Sequence, residues 1–180
     1  MDHRQALITT YSGRVIDPFN PNPKDIVLSD IAQALSMQCR FCGHVGRFIS
    51  VAQHCVLVSE LCETPEGKKW GLLHDASEAY ISDIPRPLKK NLPTFNDVEE
   101  YLFKAIAEKF KLEYPMPEEV KFYDTVSLFR EGRDFMPGGS PIKRPEGIEV
   151  PEGRLPSWSP QEARERFRER YFELFTRTGK

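Results

Sequence analysis

Two histidines and two aspartates form a set of side chains that could bind a metal ion. His74 and Asp75 are adjacent, His54 lies upstream and Asp124 lies downstream, each within a segment that has a helical pattern. Imidazole nitrogens and carboxylate oxygens together suit a divalent transition-metal ion such as zinc, manganese, cobalt, nickel or iron. The sequence therefore predicts a metal site built from these four residues.

The sequence around these residues favours side chains that face inward. His54 lies on the apolar stripe of its helix, although a histidine in that position often has only a structural role in the core. Asp75 follows the apolar segment 70–73, where burying a carboxylate is costly unless it is paired or bound to metal. Asp124 lies in another apolar helical run, residues 121–129. It would complete the cluster from a separate helix.

Further residues near the predicted ligands could act on a bound substrate. Glu78 lies one helical turn beyond His74, where it could take or give a proton, or could instead orient that histidine. Arg40 and Arg47 carry guanidinium groups that can bind phosphate oxygens through two hydrogen bonds, although many arginines form only surface ion pairs. The residue types alone leave the structural and the functional roles of these three side chains open.

The segments that must position these residues are mainly helical. Ser50 with Gln53 and Asn96 with Glu99 match the capping-box pattern that begins a helix. We predict helices at residues 29–38, 50–62, 66–81, 95–111, 117–134 and 160–176. The expected fold class is all-α.

Two stretches rich in proline or glycine do not fit a helix. The first, residues 11–28, contains short β-capable pieces at 14–16 and 26–28 that could pair as a small hairpin. The second, residues 136–159, is long enough to be a functional lid or a loop that wraps around the domain. We therefore expect one domain over residues 1–180, with a core at about 12–135, a loop at 136–159 and a C-terminal helix at 160–176.

Composition excludes several classes of protein. Hydrophobic residues make up 39% and charged residues 29% of the 180 residues, as in ordinary globular proteins. The sequence lacks both an apolar run that could span a bilayer and the apolar region of a signal peptide, so we expect a cytoplasmic protein without a membrane partner. Since 25 basic residues are balanced by 27 acidic ones, we expect no nucleic-acid polymer as a partner.

The cysteines offer an alternative metal site. Cys39 and Cys42 form a C-x-x-C motif followed by His44, but a zinc knuckle needs a second ligand pair, and Cys55 and Cys62 lie within a helical pattern. A thioredoxin-like pair would need a βαβ setting, which the sequence does not offer. Reduced thiols are therefore the favoured interpretation.

The motifs together resemble the HD-domain metal-dependent phosphohydrolases. Their H…HD…D pattern is matched by His54, His74–Asp75 and Asp124. The segment from His74 to Lys89 resembles the HDxxE…DxPxPxK segment of the bacterial 5′-deoxynucleotidases. The segment 40–54 is similar to the region of those enzymes that leads into the first metal histidine.

A second group within the same superfamily is also similar. The segments 12–14, 30–32 and 40–41 resemble those of small HD hydrolases from bacteria and phages, some of which are deoxyadenosine triphosphate triphosphohydrolases. The two likenesses together cover about residues 12–135. They imply an HD-domain helical bundle, a metal ion held by the four predicted ligands and Glu78 as the catalytic residue.

The resemblance also implies which residues contact the substrate. Asp83 would accept a hydrogen bond from the sugar 3′-hydroxyl, and Lys89 would contact the outer phosphates. The implied substrate-binding set is Arg40, Phe41, Arg47, Asp83 and Lys89. Two positions depart from the deoxynucleotidases: Phe41 replaces a tryptophan, which bears on sugar preference, and Gln53 replaces an acidic residue, which we interpret as a structural change.

The expected function is hydrolysis of a phosphoester or phosphoanhydride at the 5′ end of a small (deoxy)nucleotide. Hydrolysis of the 5′-(deoxy)nucleotidase type is favoured, and a deoxynucleoside triphosphate triphosphohydrolase is the alternative, because both use the same metal site. An alternative of another class is a non-catalytic, nucleotide-binding regulatory module. The complete ligand set and the presence of Glu78 argue against that alternative.

Self-association is expected on indirect grounds. An apolar stripe on the predicted C-terminal helix comprises Phe167, Tyr171, Leu174 and Phe175. This stripe could cover the core of its own chain or pack against a neighbouring copy. Because the families that the chain resembles form dimers or larger rings, we expect a homo-oligomer.

Overall fold

The computed structural model describes residues 6–144, 146–147 and 149–176, and most of them are helical. The helices are α1 (Leu28–Met37), α2 (Val51–Leu61), α3 (Pro65–Leu73), α4 (Glu78–Ile81), α5 (Arg86–Lys89), α6 (Pro93–Phe110), α7 (Glu118–Phe135) and α8 (Pro160–Thr176). A 3₁₀ turn spans Arg40–Gly43, and two short antiparallel strands are β1 (Ile8–Thr9) and β2 (Val15–Ile16). The predicted all-α fold class is confirmed. No helix in the described part of the chain is both long and apolar enough to cross a membrane.

Side-chain caps explain where three of the helices begin. The Ser50 hydroxyl accepts a hydrogen bond from the backbone N–H of Gln53 at 3.1 Å, and α2 begins at the next residue. Thr64 caps α3 and Ser159 caps α8 in the same way. Each cap satisfies an N–H group that has no partner within its own helix. These helices accordingly begin within one residue of the predicted positions.

The predicted helix 66–81 is wrong in one respect, because it is interrupted at His74. Helix α3 ends at Leu73 and α4 begins at Glu78, with a turn between them. The carbonyl of Gly71, which would accept from the N–H of residue 75 in a continuous α-helix, instead accepts a hydrogen bond from the His74 ring at 2.8 Å. The backbone then forms hydrogen bonds between residues three apart, as in a 3₁₀ turn. One of them runs from the N–H of Ala76 to the carbonyl of Leu73 at 3.0 Å.

Two further local predictions are wrong. Asn96 and Glu99 do not cap a helix, since α6 already begins at Pro93. The hairpin pairs Val15–Ile16 with Ile8–Thr9 and not with residues 26–28, of which the last opens α1. Sequence pattern identified the β2 strand, but pairing depends on contacts that the strand itself does not encode.

Helix α2 lies at the centre of the fold and contacts α1, α3, α7 and α8. Residues 51–59 are all buried, and the largest fully buried side chains around them include Trp70 and Phe167. A helix that is buried on every side places its polar residues in the core as well. This is why His54, with 0% of its surface exposed, must find its partners among other side chains.

The C-terminal helix α8 packs on its own chain. Phe167 is fully buried, the rings of Tyr171 and Phe175 stack at 4.4 Å, and Arg170 donates to the hydroxyl and carbonyl oxygens of Ser59. The apolar stripe of α8 therefore covers the core of the protein itself. It no longer supports a partner chain, and the homo-oligomer stays a prediction that rests on the family resemblance.

Residues 136–159 wrap around the domain and contain no helix or strand in their described part. A Cβ atom at Gly132 would lie 2.5 Å from Pro141 and 2.7 Å from Ser140, so only glycine lets the loop approach α7 this closely. Farther along, the buried side chain of Gln53 donates a hydrogen bond to the Pro156 carbonyl at 2.6 Å. It also accepts one from the backbone N–H of Trp158 at 3.2 Å. The structural role expected for Gln53 is thus to hold this loop.

All four cysteines are free thiols. Cys55 and Cys62 are buried, Cys39 is half-buried and Cys42 is exposed. In the part of the chain that the structure describes, the C-x-x-C pair and His44 join no cluster that could hold a metal ion. The arrangement agrees with the interpretation as reduced thiols.

Candidate metal centre and adjoining cavity

Four side chains converge between α2, the turn after α3, and α7. His54 Nε2 lies 3.1 Å from His74 Nε2, 3.3 Å from Asp124 Oδ1 and 3.5 Å from Asp75 Oδ2. His74 Nε2 lies 3.3 Å from the same Asp75 oxygen. His54, His74 and Asp124 thus form a cluster that could hold a metal ion, with Asp75 beside it. A second group that could do so, Cys55 with His74 and Asp75, shares two of these residues.

Hydrogen bonds on the far side of each imidazole fix its orientation. His74 Nδ1 lies 2.8 Å from the Gly71 carbonyl oxygen, which can only accept, so Nδ1 carries the proton. His54 Nδ1 lies 2.6 Å from Glu131 Oε1, and the same assignment follows for an ionised carboxylate. When the rings are neutral, as they must be to bind an ion, both Nε2 atoms have a lone pair that points into the cluster. This is how histidines that bind metal ions are commonly held.

Glu131 is a functional candidate that the sequence reasoning missed. It is fully buried, accepts from Ser127 Oγ at 2.8 Å and lies 3.2 Å from the Nε atom of Arg40. Burial opposes its ionisation, but His54 and Arg40 outweigh burial and lower its pKa to about 2. A signal was present in the sequence: Asp124, Ser127 and Glu131 are three and seven residues apart and share one face of α7.

The cluster attracts positive charge. Burial and the neighbouring Arg40 oppose protonation of His54, yet Glu131 and Asp124 raise its pKa to about 10. Burial likewise opposes ionisation of Asp124, but contact with His54 holds the pKa of this carboxyl well below its ordinary value. A divalent ion would satisfy the same carboxylates in place of the proton. Donor types, convergence and charge therefore fit a metal ion.

A close approach of two helices brings the histidines together. A Cβ atom at Gly71 would lie 2.8 Å from Ser59 Cα and 2.9 Å from Ser59 N. These distances are shorter than real side chains tolerate, so glycine is needed for α3 to pack this closely against α2. His54 on α2 and His74 at the end of α3 can then meet.

The candidate cluster adjoins a cavity of about 420 Å³ through its two aspartates. Asp75 and Asp124 line it, and so does the predicted catalytic residue, Glu78. Four of the five predicted substrate-binding residues also line it: Arg40, Phe41, Asp83 and Lys89. Other parts of the wall come from α5, from Pro141 and Ile142 of the long loop, and from Cys42, Ile84, Pro85 and Leu128. The cavity thus brings together acidic, basic and apolar groups next to the candidate ligands.

Glu78 lies against this cavity with an unusual carboxyl group. Its Oε1 atom accepts from Lys89 Nζ at 3.2 Å, and its buried Oε2 atom has no hydrogen-bond partner among the described residues. Burial raises its pKa to about 9, and the nearby carboxylates of Asp75 and Asp83 add to the shift, although Lys89 opposes it. Glu78 is therefore a carboxyl group that retains its proton near neutral pH.

Backbone strain shapes one side of the cavity. Phe41 and Cys42 have φ angles of 55° and 51°, followed by Gly43 at 79°. Residues other than glycine rarely adopt this left-handed conformation, and it costs on the order of 1–2 kcal/mol per residue. The strained 3₁₀ turn places both Phe41 and Cys42 on the cavity wall.

Two bacterial proteins are similar to this chain. The uncharacterized protein YfdR of Escherichia coli (strain K12) is 45% identical over 129 residues, which cover 72% of this chain and 72% of YfdR. The chain belongs to the YfdR family. The uncharacterized protein RCAP_rcc00048 of Rhodobacter capsulatus is 34% identical over 137 residues, which cover 69% of this chain and 70% of that protein. No family model matches the chain.

Arg47 does not reach the cavity in this member of the YfdR family. Its Nη2 atom donates to the backbone carbonyls of Asp134 and Leu155, each at 3.3 Å, and its guanidinium lies 4.7 Å from the centre of the Phe135 ring. The structure therefore places this predicted substrate residue where it links α7 to the long loop. Arg86, which sequence reasoning did not single out, lines the cavity instead.

Proposed function

We propose that this protein is an HD-domain, metal-dependent phosphohydrolase that acts on small (deoxy)nucleotides, with hydrolysis of the 5′-nucleotidase type. The observation that carries the proposal is the convergence of His54, His74, Asp75 and Asp124 next to a cavity. Asp75 and Asp124 line this cavity together with Glu78. This combination supplies a metal site, a proton-transfer group and space for a ligand in one place.

The ion would be held by His54, His74, Asp75 and Asp124. Bound there, a divalent ion supplies Lewis-acid stabilisation of a phosphoryl group and activation of a water molecule. The protein contributes rigidity, because each imidazole is fixed by a second hydrogen bond. Arg40 adds a buried positive charge 3.7 Å from Asp75 at the same wall.

Glu78 is suited to move a proton during the reaction. A carboxyl group with a pKa of about 9 is protonated at neutral pH, and it can donate that proton to the oxygen of a leaving group. Lys89, 3.2 Å from Glu78 Oε1, holds the carboxyl at the cavity wall. Glu78 is thus the proposed general acid: its proton leaves with the leaving-group oxygen, and Glu78 is reprotonated from solvent, which also receives the proton lost by the attacking water.

The remaining cavity residues are proposed to hold the nucleotide. Arg40 and Lys89 offer positive charge to phosphate oxygens, Asp83 can accept a hydrogen bond from a sugar hydroxyl, and Phe41 offers an apolar face to the sugar or base. The cavity of about 420 Å³ suits one small ligand and not a polymer. The substrate is therefore proposed to be a free nucleotide.

The test is turnover of a panel of nucleotides by protein loaded in turn with manganese, cobalt, nickel, zinc or iron. Release of phosphate from monophosphates would support 5′-nucleotidase activity, whereas release of triphosphate from deoxynucleoside triphosphates would identify the alternative reaction. Glu78→Gln should lower kcat by about 10²–10⁴ while metal binding is retained. Glu118→Gln, at an exposed position, is the matched control.

Two outcomes would overturn the proposal. Protein that binds the ion and the nucleotide but turns over none of the panel would favour the regulatory module. Loss of metal from Glu78→Gln would place that residue among the groups that assemble the site, and not in proton transfer.

A further inference from the structure

Arg86 pairs with the part of Asp124 that faces away from His54. Asp124 Oδ1 lies 3.3 Å from His54 Nε2, while its second oxygen, Oδ2, accepts a hydrogen bond from Arg86 Nη2. Arg86 is the first residue of α5 and lines the cavity. One carboxylate therefore connects a candidate ligand of the ion with a cation at the cavity wall.

Arg86 differs from the other two cations that line the cavity. Arg40 and Lys89 have side chains that are only 10% and 19% exposed, and each contacts two acidic side chains. These are Glu131 and Asp75 for Arg40, and Glu78 and Glu99 for Lys89. The side chain of Arg86 is 60% exposed, and within the described residues it forms one ion pair, with Asp124. Arg86 is therefore the cavity cation that can change partner at the lowest cost.

A divalent ion in the cluster would weaken the pair between Arg86 and Asp124. The ion attracts the charge of the same carboxylate, and it also repels the nearby guanidinium. The Arg86 side chain is 60% exposed although that of Asp124 is only 13% exposed, so water screens the pair on one side and its contribution is about 1 kcal/mol. Repulsion by the ion is large enough to release the arginine from such a pair. A released guanidinium next to the cavity can hold an oxyanion with two hydrogen bonds.

We propose that Arg86 is a substrate-binding residue, whose guanidinium passes from Asp124 to a phosphate oxygen of the ligand once the ion is bound. This inference rests on the proposed function for the identity of the ligand. It adds an order of events, in which binding of the ion prepares the arginine for the anion. By linkage, the anion must strengthen binding of the ion to the same extent.

The test compares Arg86→Ala with Arg86→Lys, and uses Lys90→Ala as the matched control. Lys90 is exposed, carries the same charge and does not line the cavity. Titration calorimetry would measure the affinity for Mn²⁺ alone, and then the affinity of the Mn²⁺-loaded protein for inorganic phosphate. Neither measurement requires turnover.

In Arg86→Ala we expect phosphate affinity to fall about 10- to 100-fold, the loss typical of a charge-assisted hydrogen bond. Mn²⁺ affinity should be unchanged or higher, because a competing cation has been removed from Asp124. Arg86→Lys should retain part of the phosphate affinity, and Lys90→Ala should match the wild type.

Two results would overturn the inference. A fall in Mn²⁺ affinity would show that Arg86 only positions Asp124, and unchanged phosphate affinity would show that the guanidinium does not reach the anion. Failure of the wild type to hydrolyse any nucleotide would overturn the proposed function instead, and it would leave these binding results interpretable.

Discussion

The candidate metal centre and the mouth of its cavity are built in different ways. The ligands lie on the long helices α2 and α7 and at the end of α3, and His54 and Glu131 are fully buried. The mouth is built from the strained 3₁₀ turn, the four residues of α5 and part of the long loop. Under the proposed function, the long helices would determine where the reaction occurs, and the short segments would determine which ligand is bound. Substitutions should therefore have their largest effects at the cluster.

The largest effect is expected from His74→Ala. It removes a ligand whose Nε2 atom lies 3.1 Å from His54 Nε2, so the purified protein should lose most of its bound metal. Elemental analysis measures the content, with circular dichroism to show that the helices persist. His44→Ala, which removes an exposed histidine, is the control. Metal content equal to that of the wild type in His74→Ala would exclude this ligand set.

Glu131→Gln should weaken metal binding by about 10- to 100-fold, the usual cost of altering the partner of a ligating histidine. The amide preserves the shape of the side chain but removes the negative charge that lies 2.6 Å from His54 Nδ1. Titration with Mn²⁺ or Co²⁺ measures the change, and the exposed Glu118→Gln serves as control. If the two variants bind metal equally well, Glu131 does not support the cluster.

Gly71→Ala should destabilise the protein by about 1–3 kcal/mol, the typical cost of overpacking a core. The added methyl group would lie 2.8 Å from Ser59 Cα and would force α3 away from α2. Gly138→Ala is the matched control, because a Cβ atom there meets nothing within 4 Å. Urea denaturation of both variants measures the difference, and equal midpoints would show that the helices can separate freely.

Metal affinity should rise by about tenfold per pH unit between pH 7 and 9, because the ion must displace the proton that His54 retains up to a pKa of about 10. Protons compete with the ion, so affinity falls as the pH is lowered. Calorimetry in buffers of different ionisation enthalpy would count the protons released. Affinity that is independent of pH would show that His54 is already neutral in the metal-free protein or does not bind the ion.

The smallest effect at the site is expected from Arg47→Ala. The sequence pattern predicts a substrate role, but the guanidinium bonds to the backbone carbonyls of Asp134 and Leu155. We therefore expect a loss of about 1 kcal/mol in stability, with kcat/KM for the best substrate unchanged within about twofold. A clear rise in KM would instead support the role that the sequence suggested.

Patterns that are local in the sequence explain what could be predicted from it. The long helices follow from apolar spacing and caps, and Ser50 marks the beginning of α2 correctly because its hydroxyl bonds locally, to residue 53. The candidate ligands His54 and Asp124 were also identifiable, since polar residues on buried faces need partners. Local rules were sufficient wherever the relevant contacts were local.

Features that depend on distant contacts were not predictable in this way. The break at His74 depends on a ring nitrogen that takes a backbone carbonyl, and the partner of β2 depends on residues upstream of the expected hairpin. The role of Arg47 depends on carbonyl groups of residues 134 and 155, which no pattern near residue 47 reveals. Glu131 lies between these cases, because its spacing from Asp124 was visible but its contact with His54 was not.

Helix α7 has a consequence for efforts to alter the substrate range. Over its 18 residues it carries Asp124 and Glu131, and the adjacent Gly132 is the point at which the long loop packs. Redesign of that loop would therefore displace a ligand and a cavity wall together, and gains in selectivity would be offset by losses in metal affinity. Helix α5 also contributes to the cavity wall, but it contributes none of the candidate ligands. Libraries directed at Pro87 and Leu88, which leave Arg86 and Lys89 unchanged, should accordingly yield more active variants than libraries directed at residues 138–142.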